Sequence, residues 1–328
     1  MIRTTPDELA ALFEVVENAQ VASYGSSRRR LLPDHPLDVF VEVRFPERER
    51  VLVVASDERI EDRELVLANG LTCAVHDGNV EVVAQPATDG EVFCALLADL
   101  VDHLQSTEVG PAAAVARRIT SWQRMLGRGL GGTLSHEARL GLFGELLVLR
   151  DLVAPACGAN AAEAWKGPQG NTKDFVLESW GVEAKTVSGR ATHARCQIHG
   201  ESQLDEGELT HLFLVHQSLK NDPQGFGLPD IIDELRAHPA LEAQLTTFEN
   251  TLLEAGWVEA HRRQYEGECW ALQTRRCYRV VEGFPRVTPG TLPEGVEGVS
   301  YSLDLGTCAP FRIDETEIRA VLGAGMTE

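Results

Sequence analysis

The chain has 328 residues, 43% hydrophobic and 24% charged, which is enough apolar material for two globular cores. No stretch reaches the roughly eighteen consecutive apolar residues of a membrane-spanning helix, and Met1-Ile2-Arg3-Thr4-Thr5-Pro6 lacks the apolar centre of a secretory signal, so a cytoplasmic protein is expected. The net charge of −20 excludes a chain that coats nucleic acid over its whole surface, because phosphate binding rests on Lys and Arg; any such site has to be local.

Thr5-Pro6-Asp7-Glu8 reads as a helix start, with Thr5 as N-cap, Pro6 in the first turn and Glu8 closing a capping box; the helix runs to about residue 19. Residues 38–45 and 50–55 are strand-like runs joined by a charged turn, and 71–76 and 79–83 flank Asp77-Gly78, a hairpin signal. Helices are expected over about 91–106 and 112–126. Arg28-Arg29-Arg30 is read as a solvated basic turn with a possible phosphate contact. The glycine-rich stretch Gly127–Thr133 has no following Gly-Lys-Ser/Thr, so it is a joint rather than a phosphate loop. It divides the chain into an N-terminal α+β domain, 1–126, and a second domain, 127–328.

From Ser135 to Leu152 the apolar residues surround most of a helix, which is therefore expected to be deeply packed, with Glu145 inside the run. Residues 173–178 and 181–187 read as two strands turned at Ser179-Trp180-Gly181, and a further strand is expected at 211–217. Residues 230–256 read as helical, 269–281 and 297–305 as strands, and 314–323 as a closing helix. The seven cysteines are scattered without CxxC or Cys-His spacing, so neither a disulfide framework nor a structural zinc site is expected.

Chemistry concentrates between Trp165 and Thr186. Side chains alternate along a strand, so Glu183 and Lys185 leave one face together, and an antiparallel hairpin returns Asp174 toward them. Two carboxylates and an ammonium then converge on a volume the size of a hydrated ion. Mg²⁺ suits such a set, since it takes hard oxygen ligands, often only one or two carboxylates, and keeps several waters. Asp174 and Glu183 are the expected ligands, with the Ala184 carbonyl a third, and Lys185 orients water or stabilises the phosphorane-like transition state.

Only four of the 30 basic residues are lysines, Lys166, Lys173, Lys185 and Lys220, and three of them surround this segment. A compact titratable ammonium is chemically distinct from a permanently charged guanidinium, so lysine here points to a role that arginine would not fill. Lys166, Lys173, Lys185, Arg190 and Arg195 outnumber the local acids, and Arg117, Arg118, Arg124 and Arg128 lie in a stretch without acids; both are candidates for a phosphate-attracting lane. Gln197, His193 and His199 are weaker candidates for the cleft, and Trp165, Gly167 and Pro168 for the loop entering it.

Lys173-Asp174-Phe175 followed by Val182-Glu183-Ala184-Lys185 resembles the PD-(D/E)XK nuclease signature, with Lys173 where that signature has proline. Together with Leu140-Gly-Leu-Phe-Gly-Glu-Leu-Leu147 and Trp165-Lys-Gly-Pro168, the pattern is similar to the bacterial PD-(D/E)XK motif protein family over roughly residues 134–200. The resemblance implies an α/β (α+β) fold: a restriction-endonuclease-like core in α-β-β-β-α-β order, with a mixed central sheet flanked by helices. It also implies cleavage of DNA dependent on Mg²⁺ or Mn²⁺, a restriction or phage-defence setting with protein partners or a homodimer, and Glu145 as an additional carboxylate. The acidic surface keeps a second expectation open, a catalytically silent subunit that serves as a scaffold in a defence complex.

Overall fold

The computed structural model describes residues 4–19, 24–56, 63–66, 70–76, 78–85, 88–106, 110–127, 133–189 and 195–324. These form two compact units, one of residues 1–133 with 256–261, the other of 134–255 with 262–328. The division in the chain thus falls at Thr133–Leu134, and Gly256–His261 returns to the first unit, which a linear partition at residue 126 does not anticipate.

The first unit begins with α1 (Pro6–Asn18). Its capping box is formed as the sequence dictates, with the Glu8 N–H donating to the Thr5 hydroxyl and the Thr5 N–H to the Glu8 carboxylate. Strands β1 (Gly25–Arg30), β2 (Val39–Phe45), β3 (Glu49–Ala55), β4 (Arg63–Val66), β5 (Leu71–His76) and β6 (Asn79–Ala84) make one antiparallel sheet in the order β1-β2-β3-β6-β5-β4. Val41, Val43, Leu52, Val54 and Val82 fill its centre, where α1 and α3 (Pro111–Gly127) pack, while α2 (Gly90–Ser106) lies against those two helices. Arg28-Arg29-Arg30 is therefore part of an edge strand, not a turn: Arg28 stacks over Phe40 and Arg30 pairs with Asp38 at 2.8 Å. Arg118, expected in a phosphate lane, is buried on α3 and holds both carboxylate oxygens of Asp99 through its Nε and Nη2 N–H groups. Arg128, His193 and Arg190 lie outside the described residues.

The second unit opens with α4 (His136–Val148), capped by Ser135, and continues through a π-helical turn (Leu149–Val153) into the short α5 (Ala154–Cys157) and α6 (Ala161–Ala164). Strands β7 (Phe175–Leu177), β8 (Trp180–Ser188), β10 (His211–Gly227), β11 (Cys269–Val280) and β13 (Arg312–Ile313) build a mixed sheet in the order β13-β11-β10-β8-β7. Here β8 and β10 are parallel and the remaining pairs antiparallel. A parallel pair needs a long crossover; this one contains β9 (Arg195–His199), which pairs with β12 (Ser300–Asp304) as a separate two-stranded ribbon. Helices α7 (Leu228–Arg236), α8 (Leu245–Glu254) and α9 (Glu315–Ala324) complete the unit, so one unbroken helix over 230–256 is not what forms: Pro239 opens a 3₁₀ segment between α7 and α8. Leaving the ribbon and the short 3₁₀ and π-helical segments aside, the order is α4-α5-α6-β7-β8-β10-α7-α8-β11-β13-α9, a mixed α+β arrangement consistent with a PD-(D/E)XK nuclease-like fold. Among the described residues no helix is long and apolar enough to cross a membrane.

The sheet has two different faces. On one, α4 comes so close to β8 that a Cβ on Gly144 would lie 1.7 Å from the Thr186 hydroxyl oxygen. Buried Gln217 of β10 ties the two together by donating to the Gly144 carbonyl at 2.8 Å, while Arg275 of β11 donates to Gln217 at 3.0 Å and to Asp151 at 2.6 Å. On the other face Leu212, Leu214, Tyr278 and Val280 meet Cys196, Ile198 and Leu303 of the ribbon in an apolar core.

Candidate functional site

The turn that sets the site is tighter than the sequence reading has it. Trp180 and Gly181 belong to β8, and the chain reverses at Glu178-Ser179, with Glu178 in the left-handed region at φ 51°. The register Phe175↔Val182 places Asp174, one residue before β7, opposite Glu183. Asp174 also anchors the loop ahead of it, because its carbonyl accepts from the N–H groups of Lys166 and Gly167 at 2.8 and 2.9 Å.

Each carboxylate has a distinct setting. Asp174 Oδ2 accepts the Ala184 N–H at 2.7 Å. Its other oxygen faces Gly167, where a Cβ would stand 2.9 Å from Asp174 Oδ1 and 3.5 Å from Glu145 Oε2. Gly167 is thus small because two acidic side chains converge on it. Glu145, inside α4, accepts the Trp165 indole N–H at 2.7 Å. Glu183 is 1% exposed; the Lys185 ammonium lies 2.5 Å from its Oε1 as an ion pair off the hydrogen-bond direction, and Oε2 has no donor among the described residues.

The four groups share one electrostatic neighbourhood. Burial, then the Asp174 charge, pushes the Glu145 carboxyl up to about 8, against the opposing Trp165 hydrogen bond and Lys185 charge. Burial also raises Asp174, although Lys185 and the Ala184 N–H oppose it, and holds Glu183 well above the usual carboxylate range with help from Asp174. Burial acts against the Lys185 ammonium, but Glu183 and Asp174 outweigh it and keep its pKa above the ordinary lysine value. Three acids crowded around one ammonium carry an excess of negative charge when ionised, and a protonated carboxyl or an additional cation relieves it.

Among the described residues no three His, Cys, Asp or Glu side chains stand close enough to cage an ion by themselves. The arrangement fits instead an ion that takes few protein ligands. A donorless oxygen on Glu183, a free-facing oxygen on Asp174 and a backbone carbonyl are hard donors of the kind Mg²⁺ or Mn²⁺ accepts together with water. The Ala184 carbonyl is in place for this, since the N–H and C=O of one strand residue leave on the same edge and the Ala184 N–H points to Asp174.

The structure brings Asp174, Glu183, Ala184, Lys185 and Glu145 together, with Trp165 and Gly167 supporting them. Pro168 is buried in the same loop. It leaves Gln197 and His199 out: on β9 the inward residues are Cys196 and Ile198, while Arg195, Gln197 and His199 face solvent. Lys173 is no surface cation either, for it is buried and donates to the Ser202 carbonyl at 2.8 Å, so the residue in the proline position ties down the 200–204 turn. The basic lane read from the sequence is thus partly consumed internally. Sequence reasoning missed Gln217 and His216; both interrupt the apolar run of β10 and are fully buried, and a polar pair inside such a run was the available signal.

A family model described as "Putative PD-(D/E)XK family member, (DUF4420)" matches residues 9–306 of this chain. No curated protein and no solved structure matches it.

Proposed function

This chain belongs to that PD-(D/E)XK family, and from this premise we propose that its second unit hydrolyses phosphodiester bonds of DNA with a divalent cation, in a restriction or phage-defence setting. The observation that carries the reading is the convergence of Asp174, Glu183 and Lys185 at the β7–β8 hairpin, with the Glu183 carboxylate buried and short of donors.

Asp174, Glu183 and the Ala184 carbonyl are the residues that would hold Mg²⁺ or Mn²⁺, which supplies Lewis acidity toward the phosphate and its attacking water. Lys185 then stands beside the reacting centre. Were Glu183 to direct its charge to such a cation, the Lys185 ammonium, 2.5 Å from Glu183 Oε1, would be available to orient the nucleophile or to meet charge on the phosphate. Glu145, its carboxyl raised to about 8, is placed to hold or exchange a proton near Asp174, and Trp165 fixes its Oε2. The Ala184 N–H keeps the Asp174 carboxylate from rotating away, so the cluster needs little rearrangement before it acts.

Purified protein incubated with linear and supercoiled DNA and Mn²⁺ should cleave it, and Lys185→Ala should retain the fold while losing the activity. Equal cleavage by wild type and variant would point to a contaminant and remove the assignment. One observation favours a second reading, a silent scaffold subunit: a net charge of −20 suits protein partners better than a polyanion. Failure of the intact chain to bind Mn²⁺ would support that alternative.

A further inference from the structure

The sheet of the first unit ends at β1, which has β2 as its one neighbour. The Leu31 N–H donates to the Val39 carbonyl at 2.8 Å, and this fixes the alternation of the ladder: Gly25, Ser27 and Arg29 turn their peptide groups toward β2, while Ser26, Arg28 and Arg30 turn theirs outward. Among the described residues no other backbone pairs with that outward row. Beside it an open groove of about 440 Å³ runs between α1 and β1, lined by Leu12 and Val15 of α1, by Leu31 and Pro33 beyond β1, and by Arg29. Helix α1 buries Leu9, Phe13 and Val16 in the core, so Leu12 and Val15 belong to a second apolar stripe that faces the groove. Val15 is 51% exposed and Tyr24, just ahead of β1, is 76% exposed; they are the large apolar side chains left open among the described residues of this unit. The Glu8 carboxylate, at the N-terminal end of α1, also lines the groove but is engaged by the Thr5 N–H.

Charge separates the two faces of this edge. Ser27 and Arg29 leave β1 on the side of Val41 and Val43, where the helices pack, and Arg28 and Arg30 leave on the side of Phe40 and Glu42. Arg30 is paired with Asp38, and Glu42, which faces Arg28 across the strands, is held by Arg44 at 2.9 Å. Arg28, stacked over Phe40, and Arg29 are exposed and form no ion pair with a carboxylate among the described residues. We propose that β1 takes up an extended segment of a partner protein as an added strand, with apolar side chains turned into the α1 groove and acidic side chains turned toward Arg28. Side chains of an added strand alternate between the faces, so the row of outward peptide groups supplies affinity and the two unlike faces supply selectivity. A second copy of this chain is a poor occupant, because pairing β1 with itself gathers two Arg28-Arg29-Arg30 runs on one ribbon. Arginines also guard an edge strand against aggregation, but that role needs no apolar groove beside the strand. The edge belongs to the first unit and its binding is independent of the chemistry at Asp174.

The test uses the full chain and short fluorescein-labelled peptides, read by fluorescence anisotropy. A peptide of alternating valine and glutamate should bind saturably, and peptides of alternating serine and glutamate or of valine and lysine should bind roughly tenfold more weakly, the first for want of apolar burial and the second for want of charge. N-methylation of every second residue should abolish binding in one phase of the alternation and spare it in the other, which side-chain contact alone would not produce. Val15→Asn and Arg28→Glu should each weaken binding about fivefold and leave thermal unfolding unchanged, since both side chains are exposed. No saturable binding of the valine–glutamate peptide, equal binding of all three peptides, or indifference to both N-methylation patterns would overturn the proposal. Duplex DNA that binds the wild type and is lost in Arg28→Glu, while the peptide does not bind, would assign these arginines to phosphate and overturn it as well.

Discussion

Gly144 gives the sharpest test of how this unit is assembled. Replacing it with alanine would ordinarily help, since alanine is better than glycine inside a helix by about 1 kcal/mol. Here the added Cβ would lie 1.7 Å from Thr186 Oγ1, 2.7 Å from Thr186 Cβ and 2.9 Å from its Cγ2. A rotation about χ1 can move the hydroxyl, but the Thr186 Cβ is fixed to the strand, so α4 has to retreat from β8 by about an ångström before ordinary contact is restored. Overpacking of that kind costs about 1–3 kcal/mol. Retreat also stretches the hydrogen bond from Gln217 to the Gly144 carbonyl, now 2.8 Å, which is worth about 1 kcal/mol. Set against the helix gain, Gly144→Ala should destabilise the protein by about 2 kcal/mol, read as a shift of the urea midpoint at constant slope. Adding Thr186→Gly to Gly144→Ala should recover part of the loss, because the obstructing carbons are gone. A Gly144→Ala variant as stable as wild type, or more stable, would refute the close helix–strand approach that places Glu145 beside Asp174.

Three further outcomes follow from the buried charges. The carboxyls of Asp174 and Glu183 are raised and Glu145 is raised to about 8, so protons compete with a cation at neutral pH; Mn²⁺ affinity should increase with pH toward about 8 with release of protons, which calorimetry in buffers of different ionisation enthalpy detects. A pH-independent affinity would contradict the cluster. For Glu145 the folded protein keeps a proton that the unfolded chain has lost between pH 4.5 and about 8, so this group makes stability fall as pH rises through that window, by up to about 1.4 kcal/mol per unit. Glu145→Gln should flatten that slope and be the more stable form near pH 8 in urea titrations; a slope identical to wild type would count against it. Asp151→Ala removes the 2.6 Å partner of the 4% exposed Arg275 side chain and leaves it only the longer 3.5 Å pair with Glu315; loss of that charged hydrogen bond should cost about 2 kcal/mol, visible as a lowered thermal midpoint.

Much of the site was legible because its signals are local. The Thr5–Glu8 capping box, the 71–76 and 79–84 hairpin and the spacing of Asp174, Glu183 and Lys185 each follow from a few neighbouring residues. Glu145 was detectable as a carboxylate in an apolar helix. What the sequence hid is non-local. Gly144 looks like a weak point in a helix until Thr186 arrives against it. Arg28–Arg30 reads as a polar turn because an exposed edge strand needs no apolar alternation. Lys173 reads as a surface cation because its acceptor, the Ser202 carbonyl, comes from another turn. Gln197 and His199 looked like cleft residues because nothing in the sequence says that β9 leaves the main sheet to pair with β12.

Asp174 and Glu183 are proposed to serve together as ligands beside Lys185. Calorimetric titration of the intact chain with Mn²⁺, in wild type and in Asp174→Asn and Glu183→Gln, addresses that most directly. Binding by the wild type that is lost in each substitution, with the DNA cleavage lost alongside it, is the predicted result. Undiminished Mn²⁺ binding in both variants, or DNA cleavage that persists without either carboxylate, would contradict it.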